Sequence, residues 1–539
     1  MPSHRRRPPI RIVAIVVVGV IALAAVGIGL LRAAVYDPPA ARPSGPSAPV
    51  APAAAGPVSG TPGRCAGVPV RAVRELRGMW LTTVNNIDWP SRPGLPEAQV
   101  KREYVAWLDL ARAQNHNAIF VHVRPSGDAF WPSAYAPWSE WLTGKRDGRS
   151  PGWDPMKFMI DEAHARNLEF HAWFNPYRGT QPGPDGAGAN FTRLAPGHPL
   201  RKHRDWAIAY PKGERGRFYY DPGIPAARKF VEDSMLEAVR GYDVDGVHFD
   251  DFFYPYPEAG QDFPDGASYA RYRKPGQSRA AWRRDNVNTL VREMDQRIKQ
   301  LKPWVKFGIS PFGIWRNKGT DPQGSPSNGL ESFDAIYADT RTWVRNGWLD
   351  YVVPQLYWAI GFDKADYAKV LPWWDKLIKG TDVQLYIGQG DYRVGEKGPW
   401  KDPGQIERQL ALNDRYAVLG SVHFSAKQIR ADRLGAVTRY RKAHYAGPAL
   451  LPPMRQLPAD PPSAPRLVAA RAAQVDWQPG AKKPVSWALY RVEGGAAPLV
   501  ATGRAGAKVT LPGPGTYCLS GLDRSGNESP IGPPLTVSP

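Results

Sequence analysis

The stretch VDGVHFDDFFYP, residues 244–255, contains the structural unit that recurs through this 539-residue chain. A short apolar run ends in two adjacent carboxylates, Asp250 and Asp251, and an aromatic loop follows. Other strand-like runs have the same character, and longer segments with apolar residues spaced near 3.6 separate them, as in amphipathic helices. These runs are ELRGMWLTTV (75–84), NAIFVHVRP (117–125), LEFHAWFNPYR (168–178), KFGISPFGIW (306–315), LDYVVPQLYW (349–358), DVQLYIGQGDYR (382–393) and GSVHFSA (420–426).

Strand-like and helix-like segments therefore alternate eight times across residues 68–447. Such alternation predicts an α/β fold with parallel strands. The length fits a (β/α)8 TIM barrel with enlarged loops, since this fold commonly spans about 200 to over 400 residues. A doubly wound open sheet is the alternative architecture.

Polar residues mark the inward face of the predicted barrel. Side chains alternate between the two faces of a strand, so residues two apart share a face. Barrel enzymes build their active sites at the carboxyl ends of the strands, which predicts a site at this rim. The polar residues in phase there are His122 with Arg124, His171 with Asn175, and His248 with Asp250, followed by Ser310 and Gln355. For the three histidines, the structural alternative is a set of interior side chains that hydrogen-bond to one another.

Asp250 and Asp251 are the main catalytic candidates. Mutual repulsion and partial burial raise the pKa of at least one carboxyl group in such a pair, which suits a proton donor or a nucleophile. Asp250 shares the phase of His248 and is expected to point inward. Asp251 is expected to face the helix layer unless a bulge rotates it, and a helix cap or a loop salt bridge is its structural alternative.

Glycoside hydrolysis requires a second carboxyl group that flanks the bond. Asp391, which ends the seventh run, is the first choice for a further catalytic carboxylate, ahead of Asp128, Glu140 and Glu258. Aromatic rings after the strands suit a sugar, and arginines there suit an anionic glycan. The predicted substrate-binding residues are Arg124, Asp128, His171, Asn175, Tyr177, Arg178, His248, Tyr254, Gln355, Tyr357 and Trp358.

The amino terminus predicts where the chain works. Residues 1–11 form a basic tail, and residues 12–31 are uncharged and long enough to cross a hydrocarbon core of about 30 Å. The apolar run is longer than that of a cleavable signal peptide, so a transmembrane signal anchor is expected, with cleavage and secretion as the alternative. Positive charge before the span places the amino terminus in the cytoplasm and the remaining chain outside the cell membrane.

The predicted partners follow from this location and from the charge. The chain has 70 basic and 50 acidic residues, a formal net charge of +20, which attracts anionic polymers. Outside the membrane, the expected partner is a cell-wall glycan, either peptidoglycan or an associated anionic polymer. Nucleic acid is not an expected partner.

Composition divides the rest of the chain. The Pro- and Ala-rich residues 37–64 predict a disordered tether, and residues 448–463 predict a Pro-rich linker. Residues 464–539 contain short alternating runs typical of a small all-β domain. Cys65 and Cys518 permit one disulfide, and the sequence leaves open whether it forms.

The chain resembles the glycosyl hydrolase-like 10 family of bacterial envelope proteins in six motifs: RGMWLTTVNNIDWPS, VRPSGDAFWPS, PWSEWLTG, EAHARNLEFHAWFNPYR, DGVHFDDFFYP and VPQLYW. The resemblance implies a TIM-barrel glycosidase-like domain with cell-envelope glycans as substrates. It also supports Asp250, Asp251, Arg124, Asn175 and Arg178 as site residues. The last domain resembles a fibronectin type III sandwich, of which LDRSGNESP is a typical ending.

The sequence thus predicts an extracytoplasmic glycoside hydrolase that uses carboxylate acid/base chemistry on a peptidoglycan-related glycan, with no cofactor and no metal. One alternative is a metal-dependent amide or ester hydrolase with His122, His171, His248 and Asp250 as ligands. The other is an anchored, non-catalytic scaffold that binds glycan.

Overall fold

The computed structural model describes residues 63–182, 188–471 and 474–538. The predicted cytoplasmic tail, the membrane anchor at 12–31 and nearly all of the tether at 37–64 lie outside the described residues. Within the described part of the chain, no helix combines the length and the apolar character needed to cross a membrane.

Eight parallel strands close into a barrel, and a helix follows each strand. The barrel strands, numbered 1 to 8 in chain order, are Leu76–Leu81, Ala118–Arg124, Glu169–Phe174, Gly246–Phe249, Lys306–Ile309, Tyr351–Val352, Gln384–Gln389 and Val418–His423. The helices that follow them are Glu97–Ala113, Pro155–Ala165, Pro225–Gly241, Arg279–Leu301, Thr340–Arg345, Tyr367–Ile378, Gln405–Asn413 and Ala436–His444. This closure confirms the predicted TIM barrel and excludes the doubly wound open sheet.

Several connections carry additional short elements. An antiparallel hairpin of Ala207–Tyr210 and Arg217–Tyr220 lies between strand 3 and its helix. Short helices in the loops are Glu140–Thr143, Pro199–Lys202, Gly266–Tyr272, Ser332–Ala335 and Ala426–Ala431. These enlarged loops account for a barrel domain that exceeds the minimum length of the fold.

Alternate residues of the strands fill the barrel interior, as the two-residue period requires. Every residue of strands 1 to 5 is buried. Glycines make room for large rings on the neighbouring strands. A Cβ on Gly246 would lie 2.3 Å from Nδ1 of His171, and one on Gly308 would lie 2.2 Å from the ring of Tyr351.

Packed side chains close the amino-terminal end of the barrel. Glu169 and Lys306 form an ion pair there, and both side chains are buried. Met454 and Leu457, which belong to the predicted linker, pack with the apolar side chains of the barrel interior. The linker segment is therefore part of the barrel floor, which leaves the carboxyl-terminal rim for the site.

The carboxyl-terminal part of the chain forms the predicted all-β domain, and its likeness to fibronectin type III stays a prediction. One sheet orders the strands Arg64–Cys65, Val68–Arg71, Ala497–Arg504, Ser486–Arg491, Gly515–Leu522 and Leu535–Val537, and a second contains Arg466–Arg471, Gln474–Gln478 and Val509–Thr510.

Residues 68–71 correct the predicted start of the barrel domain. They form an edge strand of the carboxyl-terminal sheet, where Val70 pairs with Ala497, and the barrel itself begins at Leu76. A disulfide joins Cys65 to Cys518, 453 residues apart in sequence. The chain preceding the barrel is thus fastened to the domain that follows it.

Candidate active site

Asp250 follows strand 4 directly and points into the barrel mouth, as its phase predicts. Nε1 of Trp173 donates to its Oδ2 at 3.2 Å, and the backbone N–H of Phe252 donates to its Oδ1 at 3.0 Å. In the amide orientation that satisfies both neighbours, Asn175 donates to the two carboxylate oxygens at 2.7 and 2.5 Å. The same amide then accepts a hydrogen bond from Arg178 at 2.7 Å, so Asn175 links Asp250 to a cation.

Asp251 also turns toward the mouth, which corrects the expectation that it faces the helix layer. The hydroxyl of Tyr256 donates to Oδ2 of Asp251, and Nε2 of Gln355 donates to its Oδ1 at 3.2 Å. Strand 4 ends at Phe249, so the alternation of faces no longer applies two residues later. Two adjacent carboxylates therefore share one site.

Burial controls the electrostatics of this pair. Both carboxylates are only 5% exposed. Burial raises the pKa of Asp250, the charge of Asp251 raises it further, and Arg178 opposes both effects. Burial likewise raises the pKa of Asp251, against the hydrogen bonds from Tyr256 and Gln355. Two buried carboxylates this close together hold one proton more readily than two charges.

Aromatic packing fixes the wall behind Asp250. The ring of Trp173 stacks on the ring of His122 with centroids 3.9 Å apart and planes 7° apart. Burial, followed by the charge of Arg178, lowers the pKa of His122 well below its usual value, so this imidazole is neutral. The guanidinium of Arg178 lies 4.1 Å from the ring centroid of Phe252.

Strand 6 supplies the opposite side of the site. Nε2 of Gln355 bridges Asp251 and the backbone oxygen of Ser310, which it contacts at 2.9 Å. Tyr357 is partly buried beside the carboxylate pair, and its ring packs against that of Phe424 at 6.1 Å. Gln355 and Tyr357 thus lie where the sequence places them, at the rim.

His171 and His248 lie below the rim, inside the barrel. Nδ1 of each ring contacts the hydroxyl of Tyr351, at 2.9 and 3.3 Å, and Nε2 of His171 contacts Glu169 at 3.1 Å. Nε2 of His248 lies 3.3 Å from Nε1 of Trp80. Both rings are interior side chains, as the structural alternative predicts, but they bond to Tyr351 and not to each other. Among the described residues, no three His, Cys, Asp or Glu side chains are grouped to hold a metal ion.

Three of the predicted substrate-binding side chains are buried behind the site: Arg124, Tyr177 and Tyr254. Arg124 is buried, and its Nη1 donates to the backbone oxygens of Asn175 and Pro176 at 2.8 and 3.1 Å. Tyr177 is fully buried, and burial raises the pKa of its hydroxyl well above its usual value.

The hydroxyl of Tyr254 accepts from Nδ2 of Asn286, in the helix Arg279–Leu301, at 3.2 Å. These three side chains shape the mouth from behind it rather than from inside it. Trp358 is 8% exposed and packs edge-on against Phe312.

Asp391 faces the helix layer, contrary to the prediction that it completes the catalytic pair. Nδ1 of His423 lies 3.1 and 2.9 Å from its two oxygens, and the His423 ring stacks on Tyr440 of the helix Ala436–His444. Strand 7 ends at Gln389, so the alternation of faces along the strand does not fix the direction of Asp391, two residues later.

The other candidate carboxylates are held in the loops. Asp128 accepts from the backbone N–H of Ser126 at 2.8 Å, and burial raises the pKa of Asp128 to about 6. Glu140 forms an ion pair with Arg146, and Glu258 forms one with Arg215.

Trp173 is the site residue that the sequence analysis missed. It donates to Asp250 and stacks on His122, which places it behind the carboxylate pair. Trp173 lies midway between His171 and Asn175, so it shares their inward phase. The same alternation that selected those two residues could have selected it.

The chain matches the family described as glycosyl hydrolase-like 10 over residues 75–403. It is 46% identical over 435 residues to glycosyl hydrolase YngK of Bacillus subtilis (strain 168), and the match covers 78% of this chain and 83% of that protein. It is 37% identical over 390 residues to glycosyl hydrolase DigH of Escherichia coli (strain K12), and the match covers 69% and 88% of the two chains.

Among solved structures, the glycoside hydrolase domain of PgaB (BpsB) from Bordetella bronchiseptica is similar with a TM-score of 0.43 and 12% sequence identity. That similarity covers 68% of this chain and 98% of the PgaB chain. The family match and the two relatives confirm the predicted enzyme class, a glycoside hydrolase. The chain belongs to the glycosyl hydrolase-like 10 family.

Proposed function

We propose that this glycoside hydrolase is anchored in the cell membrane and cleaves a peptidoglycan-related glycan of the cell envelope by acid/base chemistry. The observation that carries the proposal is the carboxylate pair at the end of strand 4. Asp250 and Asp251 are buried at the barrel rim and accept hydrogen bonds from Trp173 of strand 3 and from Gln355, which follows strand 6.

Burial prepares this pair for proton transfer. A general acid is most effective when its pKa lies near the working pH, and burial raises the pKa of both carboxyl groups from their ordinary range. One carboxyl group can then hold a proton for the leaving oxygen while the other stays charged beside the developing positive charge of the sugar. Arg178, linked to Asp250 through Asn175, stabilises the charged member.

The envelope location rests on the sequence. Residues 12–31 are uncharged and long enough for one membrane span, and the basic residues before them favour a cytoplasmic amino terminus. The net charge of +20 favours an anionic polymer such as the cell wall. The all-β domain then acts as a spacer or a weak glycan-binding module.

The test is incubation of the full-length chain in detergent with purified peptidoglycan, both intact and stripped of its stem peptides. Mass spectrometry of the soluble products identifies released saccharides, with and without a chelator. We expect chelator-insensitive saccharides from the wild type and none from Asp250→Asn or Asp251→Asn.

A matched control is Asp382→Asn. This aspartate is exposed and lies just before strand 7, at the end of the barrel away from the site. The Asp382→Asn variant should release saccharides as the wild type does. Release of peptides or acetate instead of saccharides, or full activity of both active-site variants, would overturn the proposal.

A further inference from the structure

The two site carboxylates stand on consecutive residues, and this restricts the chemistry. Consecutive Cα atoms are about 3.8 Å apart, so Asp250 and Asp251 rise from the same point of the wall. Hydrolysis through an enzyme nucleophile needs carboxyl groups on either side of the scissile bond. Carboxylates from one strand end do not flank a bond in that way.

Carboxylates that follow other barrel strands are committed to their own loops. Asp88 accepts from the backbone N–H groups of Thr82 and Lys427, at 2.8 and 3.0 Å, and from the hydroxyl of Ser425. Asp366 caps the helix Tyr367–Ile378. Asp391 is paired with His423, as described above. These three carboxylates hold the framework, and Asp128, Glu140 and Glu258 are held in their own loops. We therefore look to the substrate for the nucleophile.

We propose that the substrate supplies its own nucleophile, the carbonyl oxygen of a 2-acetamido group on the sugar whose bond is cut. Asp250 accepts a hydrogen bond from the acetamido N–H, and Asp251 protonates the leaving oxygen. Because C1 and C2 of the sugar are bonded neighbours, two consecutive carboxylates match the two reacting positions. This inference rests on the proposed function and narrows it to glycans of N-acetylated amino sugars.

Water is the only co-reactant that the two steps need. The acetamido oxygen forms a bond to C1 as the glycosidic C1–O bond breaks, and the leaving oxygen takes the proton of Asp251. The cyclic cation keeps its N–H, which stays hydrogen-bonded to the Asp250 carboxylate. Water then attacks C1, gives its proton to Asp251 and reopens the ring, so the configuration at C1 is retained.

The hydrogen bonds assign the two roles. Asp250 accepts from Trp173, Asn175 and the Phe252 backbone, and three donors favour a charged carboxylate. In the free enzyme the charge of Asp251 raises the pKa of Asp250. When substrate binds, the acetamido N–H adds a further donor to Asp250, which favours its charged form, so in the complex the shared proton moves to Asp251, whose side-chain donors are Tyr256 and Gln355.

The experiment uses the full-length chain and aryl glycosides of short β-1,4-linked glucosamine chains. The substrates carry acetyl, mono-, di- or trifluoroacetyl groups, or a free amine, on the sugar that is cut. Fluorination weakens the carbonyl nucleophile at nearly constant size, so kcat/KM should fall with each fluorine and be lost with the free amine. NMR should show the retained anomer first. Equal rates across the series, or inversion, would overturn the inference while the proposed function stands.

Variants separate the two roles. Asp251→Asn should lose about 10²–10⁴-fold of its kcat/KM on native glycan, the usual contribution of a general acid, yet keep its kcat/KM on a dinitrophenyl glycoside, because kcat/KM reports the first step and this leaving group needs no proton. Its kcat on that glycoside should fall, because Asp251 is also the base for the attacking water. Asp250→Asn should lose activity on both substrates, and Asp382→Asn on neither. Loss of kcat/KM by Asp251→Asn on both substrates, with unchanged thermal stability, would overturn the assignment.

A binding measurement distinguishes failure of the inference from failure of the proposed function. A bicyclic thiazoline made from N-acetylglucosamine mimics the cyclised intermediate and can be titrated by calorimetry without turnover. We expect binding to the wild type and loss of binding in Asp250→Asn. If no glycan is cleaved but the thiazoline binds in this way, the envelope-glycan proposal fails and the inference holds. If the thiazoline does not bind, the inference fails.

Discussion

Replacing Trp173 by phenylalanine removes one hydrogen bond from Asp250 and keeps an aromatic ring against His122. Nε1 of Trp173 donates to Oδ2 of Asp250 at 3.2 Å, from a side chain only 6% exposed. A hydrogen bond to a charged group contributes about 1.5–3 kcal/mol. One pH unit corresponds to about 1.4 kcal/mol, so the pKa of Asp250 should rise by about one to two pH units.

The sign of the effect on activity follows from the role of Asp250. If catalysis requires the charged carboxylate, the variant is active only after Asp250 loses its proton, which now requires a higher pH. The acid limb of the kcat/KM profile should therefore move upward by about one to two pH units, with recovery above the new limb. The assay is kcat/KM on the dinitrophenyl glycoside from about pH 4 to about pH 9.

Trp131→Phe is the matched control. Nε1 of Trp131 donates to a carboxylate oxygen of Glu237 at 2.9 Å, and the ring is 1% exposed, but Glu237 belongs to the helix Pro225–Gly241. This variant loses the same kind of bond to a carboxylate outside the pair, so its stability should fall while its pH profile stays in place. An unshifted profile in Trp173→Phe, or an equal shift in Trp131→Phe, would refute the reasoning.

Other parts of the fold give further predictions. Lys306→Met leaves the buried Glu169 charge without its partner and should lower the free energy of unfolding by about 3–5 kcal/mol. Denaturant titrations measure this loss, and a loss below about 1 kcal/mol would contradict the prediction. Asp391→Asn weakens the contact with His423 and should lower thermal stability with only a small change in kcat/KM. A loss of kcat/KM as large as that of a general acid, about 10²-fold or more, would restore Asp391 to the catalytic set. Cys65→Ser opens the disulfide and should cost about 2–5 kcal/mol of stability without changing turnover, which unfolding curves and rates on the same sample check.

Alternation along the strands predicted much of the site. The inward phase of Asn175, Asp250 and Gln355 places all three at the rim, where Asn175 and Gln355 each contact one carboxylate of the pair. The rule does not extend to Asp391, because strand 7 ends at Gln389. The rule failed for Asp251 because strand 4 ends before it. Where a strand ends depends on where the neighbouring strands stop pairing with it.

The sequence also could not supply the height of a side chain along the barrel axis. His171 and Asn175 share one face, yet His171 bonds to Tyr351 within the core, whereas Asn175 bonds to Asp250 at the rim. A two-residue period gives the face but not the height at which the barrel opens. That height depends on the stagger between neighbouring strands, which is a property of the closed barrel.

By itself, the sequence determined the eightfold alternation of strands and helices, the inward phase of each strand and the family, because these depend on local patterns and ordered motifs. Only the tertiary structure decided that Asp251 joins Asp250, that Trp173 and Asn175 hold that pair, and that Cys65 meets Cys518. These contacts join residues that lie far apart along the chain or beyond the end of a strand. Barrel closure brings them together, and no local period encodes such distances.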